Sequence, residues 1–174
     1  MRVWLVAAVA AIGMLALALS KPGTFGEASS LETKARKDLT VSVVKGDPSM
    51  LAAREKGRAT LDHFLSVNEN RPPNSRAYSV KIPVEDGGKV EWFWISNFGR
   101  DGDRFWGHID NTPRVVANVR QGQRIDFQRA DIADWTYVRD GRIKGNFTAC
   151  AMMAKESEEA RKEFARKFRM DCSV

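Results

Sequence analysis

Few residues in this sequence combine the types and the spacing that catalysis requires, and the best pair is His108 and Asp110. On a strand, residues two positions apart point to the same side of the sheet, so this pair would share a face with Trp106. A histidine beside a carboxylate can move a proton, and a hydrolase using His108 and Asp110 is therefore one hypothesis. The alternative, which we favour, is a solvent-facing histidine near a turn aspartate.

The sequence lacks the short motifs that would identify an enzyme or a cofactor site. It contains no G-x-S-x-G, H-E-x-x-H, phosphate-binding loop, dinucleotide fingerprint or C-x-x-C. With two histidines and two cysteines a zinc site is not expected, and Asp101-Gly102-Asp103 lacks the further ligands of a calcium loop. Asp131 and Asp134 more readily cap backbone amides than cleave a glycosidic bond. We expect no metal and no cofactor, and we favour a protein without catalytic activity.

Tryptophans supply the best binding hypothesis, which rests on Trp92, Trp94 and Trp106. Trp92 and Trp94 point to one side of a predicted strand, and the residues between and beyond them point to the other. Such a strand is either buried on both sides or exposes an aromatic platform, and we favour burial. An exposed platform would suit a sugar ring, such as one of peptidoglycan, or an apolar patch of a partner. Trp135, which follows a turn and precedes alternating residues, is predicted to lie in the core.

The N-terminal residues indicate where the protein works. Residues 3–19 are apolar and uncharged and follow Arg2, which is typical of a signal peptide, although the length also allows a membrane anchor. We expect residues 1–28 to form one or the other and residues 29–46 to form a tether, with a short strand at 41–44. The protein is then periplasmic or secreted, or is anchored to the inner membrane, and only residues 3–19 would contact the membrane.

The two cysteines, Cys150 and Cys172, are predicted to form a disulfide. An even count together with an export segment favours pairing in an oxidising compartment. Closing a loop of this size would stabilise the fold by about 3 kcal/mol in the chain-entropy model. The alternative is two free thiols.

The charge is moderate and evenly spread. The formal net charge is +6, from 28 basic and 22 acidic residues, without the concentrated stripe that nucleic-acid binding requires. We therefore expect no nucleic-acid partner. The leading hypothesis is an exported, non-catalytic domain that binds a protein of the cell envelope. A glycan-binding module is the alternative.

The order of the elements predicts an α+β fold in a single domain at 47–174. Asp47 and Pro48 begin a helix that runs to about residue 67, and a second helix covers about 157–168. Between them, residues 77–153 predict a twisted, mostly antiparallel sheet of five to seven short strands. The predicted strands are 78–84, 89–98, 104–110, 114–119, 124–128, 131–138 and 147–153, with the Asp86-Gly87-Gly88 turn forming the clearest hairpin.

Five blocks in this region carry a family resemblance. They are EWFWIS at 91–96, FWGHIDNTP at 105–113, VVANVRQGQRI at 115–125, DIADWTYV at 131–138 and GNFTACAMM at 145–153. In this order they resemble the bacterial family named domain of unknown function 2314, the YegJ-like proteins. The resemblance covers about residues 78–153 and implies that the strand-rich block is one folding unit. It carries over no catalytic residue, because the family has no assigned activity.

Overall fold

The computed structural model describes residues 46–170 and residue 172. The predicted export segment, the tether up to residue 45 and the short strand at 41–44 lie outside these residues. Within the described part, no helix is both long and apolar enough to cross a bilayer. The helices are α1 (Pro48–Ala59), α2 (Leu61–Asn70), α3 (Phe147–Met153) and α4 (Glu158–Phe168).

One antiparallel sheet forms the centre of the fold, in the order β4-β3-β2-β1-β5-β6. The strands are β1 (Ser75–Asp86), β2 (Lys89–Asp101), β3 (Arg104–Ile109), β4 (Arg124–Gln128), β5 (Asp134–Arg139) and β6 (Arg142–Gly145). The α+β prediction is confirmed. The β1–β2 hairpin turns at Gly87 and Gly88, both with positive φ, as a two-residue turn of this hand requires.

Alternation along the strands places the core on one face of this sheet. Val80 and Ile82 of β1 pair with Ile95 and Phe93 of β2, and all four side chains are buried. Helix α2 covers this face through Phe64, which is fully buried. One apolar stripe on a helix and one apolar face on a sheet thus enclose a single core.

Trp135 is 5% exposed, which confirms the prediction that it lies in the core. Its ring stacks on Phe64 at a centroid distance of 5.1 Å and meets Phe147 edge-on at 5.3 Å. The indole Nε1 donates to the Thr60 hydroxyl over 3.0 Å. The ring therefore joins α2, β5 and α3.

The single helix predicted at 48–67 is in fact two helices that meet at Thr60. The Thr60 hydroxyl donates to the Lys56 carbonyl over 2.7 Å and accepts from Trp135. A side chain that bonds the preceding turn often bends or ends a helix. The break allows α2 to cover the core while α1 packs against α3. Helix α1 also lies against the chain just before β5, where Gly57 approaches the backbone of Ala133.

The segment 147–153, predicted as a strand, is helix α3, and that prediction was wrong. The Asp134 carboxylate accepts the backbone N–H groups of Phe147 and Thr148, at 3.2 and 2.8 Å, so the chain begins a helix there. Gly145 makes the turn possible with φ +73°, where a Cβ atom would lie 2.3 Å from the Trp135 carbonyl oxygen.

The strand predicted at 114–119 does not form either, and β6 was not predicted. Glu91, which is buried, accepts the backbone N–H groups of Arg114, Val115 and Val116 over 2.8 to 3.1 Å. Those donors are therefore not available to a sheet ladder. The segment instead crosses the end of β2 as an irregular loop.

Two contacts attach the C-terminal segment to the rest of the domain: a disulfide to α3 and a backbone bridge to β6. Cys150 of α3 and Cys172 lie at bonding distance, with an S–S separation of 2.06 Å, as predicted. After α4, Met170 forms a parallel bridge with Ile143 of β6. The chain end therefore returns to the sheet beside α3.

We predict that Trp135→Ala lowers the free energy of unfolding by about 3–5 kcal/mol, because it opens a cavity that three elements share. Chemical denaturation monitored by circular dichroism measures this. Val115→Ala is the control, since Val115 is 47% exposed and its loss should cost no more than about 0.5 kcal/mol. Equal stability of the two variants would contradict the core position of Trp135.

We predict that alkylation of the unreduced, unfolded chain leaves Cys150 and Cys172 unmodified, because the two thiols form a disulfide. Mass spectrometry measures the adducts. Cys172→Ser should cost about 2–4 kcal/mol, and the double Cys150→Ser/Cys172→Ser variant should cost no more than the single one. Two alkylated cysteines in the unreduced protein would refute the bond.

Candidate functional site

The candidate site lies on the sheet face opposite the core, which we name the tryptophan face. Residues paired directly across an antiparallel ladder point to the same side. Its members in β1, β2 and β5 are Ser79, Lys81, Trp92, Trp94, Ser96, Asp134 and Thr136, as the pairs Ser79–Ser96, Lys81–Trp94, Ser79–Thr136 and Lys81–Asp134 show. Polar groups and indole rings thus alternate on this side of the sheet, where Ser79 and Asp134 are buried and the other members are half-buried.

The three tryptophans of the binding hypothesis are all half-buried. Trp92 and Trp94 lie on the tryptophan face, while their neighbours Phe93 and Ile95 are buried in the core. The strand β2 therefore has a fully buried side and a side that leaves indole surface accessible. Trp106 packs on Gly99 and borders a different depression, beside Phe127.

A groove of about 350 Å³ lies beside Trp94. We name it the Trp94 groove, and its lining is Ala77, Ser79, Trp94, Asp110, Asn111, Thr136, Val138, Ile143 and Asn146. One aromatic ring, three aliphatic side chains and several hydroxyl, amide and carboxylate groups converge there. Small-molecule sites commonly combine apolar walls with a few such polar groups.

The loop after β3 fixes the position of Trp94. The Asn111 side-chain oxygen accepts from the backbone N–H of Trp94 over 2.9 Å, and its NH₂ group donates to the backbone carbonyl of Trp92 over 3.3 Å. The Asp110 backbone N–H donates to the Trp94 carbonyl over 2.9 Å, and its carboxylate accepts from the Ser96 hydroxyl. Asp110 and Asn111 therefore hold the strand as well as line the groove.

Backbone strain occurs at the edge of the same groove. Ala77 has φ +54° and sits where the β1–β5 register shifts, at a β-bulge. A left-handed conformation is uncommon for a residue with a Cβ atom, and such residues and bulges concentrate at functional sites. The bulge turns β1 so that Ser79 and Ala77 both border the groove.

The structure does not join His108 to Asp110. His108 is exposed on β3 opposite Ser96, whereas Asp110 follows the strand end and is hydrogen-bonded to Ser96. Among residues 46–170 and 172, no hydrogen bond or ion pair links the two side chains. The side chain of Ser96 therefore lies beside both residues.

Half-buried Lys81 and fully buried Asp134, a pair that sequence reasoning did not single out as a site, lie beside Trp94. The Lys81 ammonium donates to the Thr148 hydroxyl over 3.1 Å and lies 5.2 Å from the centre of the Trp94 ring. Asp134 accepts from the Trp135 and Phe147 amides and from both the amide and the hydroxyl of Thr148. The expectation that Asp134 and Asp131 cap backbone amides is confirmed, since Asp131 accepts from the Gln128 N–H.

Burial shifts the pKa of both partners. Desolvation lowers the pKa of Lys81 to about 8, with the Asp134 charge opposing this shift and the Arg54 charge adding to it. Burial raises the pKa of Asp134, against the hydrogen bonds from Thr148 and the charge of Lys81. Taking the two charges out of water thus has a cost that their attraction does not fully offset.

A second cation covers the neighbouring indole. The Arg54 guanidinium of α1 lies 4.1 Å above the Trp92 ring. Its pKa is lowered, first by burial and then by the charge of Arg58. Trp92 therefore has a cation–π contact with Arg54, and Trp94, two residues further on β2, has one with Lys81.

The described residues include no group of three or more His, Cys, Asp or Glu side chains arranged to hold a metal ion. The polar groups of the Trp94 groove come instead from separate strands and one loop. These groups can donate and accept hydrogen bonds.

These features define a class: a small α+β domain with one sheet face in the core and a polar, tryptophan-bearing face opposite. The chain belongs to the family of domain of unknown function 2314, described as an uncharacterized protein conserved in bacteria, whose model matches residues 47–172. The family resemblance noted from the sequence is thereby confirmed.

Two relatives share much of this domain. The uncharacterized protein YegJ of Escherichia coli K12 is 30% identical over 122 residues, which cover 68% of this chain and 78% of that protein. A putative ankyrin repeat protein of Neisseria meningitidis serogroup B is 33% identical over 129 residues, which cover 70% of this chain. The match spans about half, 51%, of the Neisseria protein. No solved structure matches the chain.

We predict that the stability of the protein rises with pH between about 8 and 10.5, through Lys81. In this window the unfolded chain still binds a proton on Lys81 and the folded protein does not, so deprotonation favours folding. Below pH 8 both states are protonated and the cost of the buried charge is constant. The gain is up to about 3 kcal/mol.

Denaturation of the wild type and of Lys81→Met at pH 7, 8, 9 and 10 measures this gain. Comparing the two proteins removes the contribution of the other titrating groups. The unfolding free energy of the wild type should increase relative to that of Lys81→Met as the pH rises. A difference independent of pH would show that Lys81 is not desolvated.

Proposed function

We propose that this chain is an exported, non-catalytic binding domain of the bacterial cell envelope and that the Trp94 groove binds a glycan. One observation carries the proposal: a half-buried indole lies at the side of a groove whose lining combines aliphatic side chains with hydroxyl, amide and carboxylate groups. This combination matches the two kinds of surface that a sugar presents.

A pyranose ring has an apolar face of C–H groups and an edge of hydroxyl groups. The apolar face can stack on the accessible side of Trp94, while hydroxyl groups exchange hydrogen bonds with Asp110, Asn111 and Thr136. Because Asn111 and Asp110 are already held by the backbone of β2, they lose little freedom when a ligand binds.

Size supports a ligand of this kind. The groove volume of about 350 Å³ falls at the lower end of the range for small-molecule sites, which suits one or two sugar rings. Its lining comes from β1, β2, β5 and β6 and from the loop after β3, so the groove crosses the sheet.

Location in the envelope is part of the proposal and has two supports. The apolar, uncharged segment at 3–19 is typical of an export signal. The Cys150–Cys172 pair at bonding distance is compatible with an oxidising compartment. An exported protein of the cell envelope would meet peptidoglycan as an abundant glycan.

A protein partner from the envelope is the second candidate, and a specific corner of the surface favours it. Val90 and Val115 are 49% and 47% exposed. The carboxylate of Glu91, next to Val90, accepts the Val115 N–H over 2.8 Å, so both apolar side chains lie near the same end of β2. Exposed apolar groups that lie together mark interaction surfaces.

We predict that the full-length protein binds purified peptidoglycan and its soluble muropeptides, and that Trp94→Ala lowers the affinity at least about tenfold through the loss of ring stacking. Co-sedimentation with sacculi and calorimetry with muropeptides measure the two forms of binding. Quenching or a blue shift of tryptophan fluorescence on binding, absent in Trp94→Ala, reports contact with this ring.

Trp106→Ala is the matched control, because Trp106 is also half-buried but borders a different depression. It should bind like the wild type, and thermal unfolding should show that both variants are folded. Binding that is equal in the wild type and in Trp94→Ala would exclude the groove as the site. No binding to any glycan, with loss of a captured envelope protein in a Val90→Ser/Val115→Ser variant, would favour the second candidate.

A further inference from the structure

The Trp94 groove has two ends of different chemistry. Trp94 of β2 lines one end together with Asp110 and Asn111 of the loop after β3, and Val138 of β5 and Ile143 of β6 line the other. Strand β1 lies between β2 and β5, so these two strands are two strand spacings apart, about 10 Å. A ligand that fills the groove therefore meets an aromatic ring at one end and aliphatic side chains at the other.

Val138 and Ile143 form the aliphatic end together. They pair directly across the β5–β6 ladder, so their side chains lie on the same side of the sheet, and both are half-buried. A ligand hydroxyl placed against them would lose water without gaining a hydrogen bond, which is unfavourable. A methyl group at this place would instead gain from burial. The aliphatic end thus favours a ligand with an apolar substituent beside its polar groups.

Asn146 supplies a side-chain amide beside these two residues. An asparagine directly before a helix usually caps that helix. Within the part of the chain that the structure describes, the Asn146 side chain makes no capping hydrogen bond to α3, and Asp134 accepts the first N–H groups of this helix instead. The Asn146 side chain lines the groove, where its amide can both donate and accept.

The backbone holds Asn146 in this position. Its N–H donates to the Trp135 carbonyl over 2.8 Å, and its carbonyl accepts from the N–H groups of Ala149 and Cys150 over 3.1 and 3.2 Å. Its φ of +58° lies in the left-handed region, which asparagine adopts more readily than most residues. The backbone that carries the amide is therefore fixed before a ligand binds, which lowers the entropic cost of binding.

Thr136 adds a hydrogen-bond acceptor. Its hydroxyl donates to the Lys144 carbonyl over 3.1 Å, so the oxygen keeps lone pairs that can accept from a ligand. Thr136 pairs with Gly145, the residue before Asn146, across the β5–β6 ladder. An acceptor and an amide therefore lie next to the two aliphatic side chains.

From this arrangement we propose that the Trp94 groove selects N-acetylated sugars: Trp94 stacks on a sugar ring, and an acetamido group binds at the aliphatic end. The acetamido methyl packs on Val138 and Ile143. Its N–H donates to the Thr136 hydroxyl, and its carbonyl accepts from the Asn146 amide. An acetamido group brings a methyl, one donor and one acceptor together within a few atoms, as this end of the groove requires. The inference rests on the proposed glycan-binding function and specifies its ligand class.

Three disaccharides test this proposal on the full-length protein. They are di-N-acetylchitobiose, cellobiose, which carries hydroxyl groups in place of the acetamido groups, and de-N-acetylated chitobiose, which carries amines. We expect di-N-acetylchitobiose to bind about tenfold more tightly than cellobiose in calorimetry, because it buries a methyl group and adds hydrogen bonds. De-N-acetylated sacculi should likewise bind less protein than native sacculi, and chemical re-acetylation should restore the binding.

Asn146→Gly should reduce the affinity ratio of di-N-acetylchitobiose to cellobiose to near one. Glycine accepts the left-handed backbone, so this variant removes the amide without adding strain. Asn74→Gly is the matched control, because Asn74 also has a positive φ, +60°, but is exposed and lies outside the groove lining. It should keep the ratio of the wild type, and thermal unfolding should show that both variants are folded.

Val138→Thr tests the methyl contact separately, since threonine has nearly the same shape as valine but places a hydroxyl in the aliphatic end. It should lower the ratio of the two affinities. Val115→Thr makes the same change at an exposed position outside the groove lining and should keep the ratio of the wild type.

The outcomes distinguish a failure of this inference from a failure of the proposed function. Equal affinity for di-N-acetylchitobiose and cellobiose, or a ratio that Asn146→Gly does not change, would overturn the N-acetyl inference and leave glycan binding in place. Binding to sacculi that de-N-acetylation does not weaken would do the same. Tighter binding of de-N-acetylated chitobiose would also overturn it and would indicate an amine beside the Asp110 carboxylate. No binding of any disaccharide or of native sacculi would overturn both this inference and the proposed function.

Discussion

The buried carboxylate of Asp134 is the interaction on which much of this structure depends. It starts helix α3 by accepting the amides of Phe147 and Thr148, and its negative charge offsets part of the cost of burying the Lys81 ammonium on the tryptophan face. A buried charge is stable only when its hydrogen bonds and its counter-charge are supplied together. In the folded protein, strand β5, helix α3 and strand β1 all contribute to the environment of Asp134. The position of α3, and with it the disulfide at Cys150, follows from that requirement.

Glu91 is a second buried carboxylate that accepts several backbone N–H groups. Glu91 gathers three backbone amides of the loop after β3, so this loop needs no ladder of its own. The loop then supplies Asp110 and Asn111 to the Trp94 groove. Each wall of the candidate site is thus supported by an acid that lies away from the ligand. Such support from outside the site is what keeps a binding surface in one arrangement before a ligand arrives.

Several elements could be predicted because their signals are local. Asp47 and Pro48 begin α1 where the capping pattern placed it, and the glycines of the 87–88 turn define the β1–β2 hairpin. Helix α3 could not be predicted, since its first amides are capped by a residue 13 or 14 positions earlier in the chain. The loop at 114–119 escaped prediction for the same reason: an apolar run looks like a strand unless a distant carboxylate removes its donors.

The sequence alone determined the side of β2 to which each aromatic residue points, because the period of a strand is two and Trp92 and Trp94 are two residues apart. It also determined the family, through blocks that keep their order. Only the tertiary structure decided that helix α2 covers the side with Phe93 and leaves the indoles half-buried. It alone brought Arg54 from a helix and Lys81 from the next strand onto those rings. Pairing between distant segments depends on which faces bury the most apolar surface together, and no local pattern contains that information.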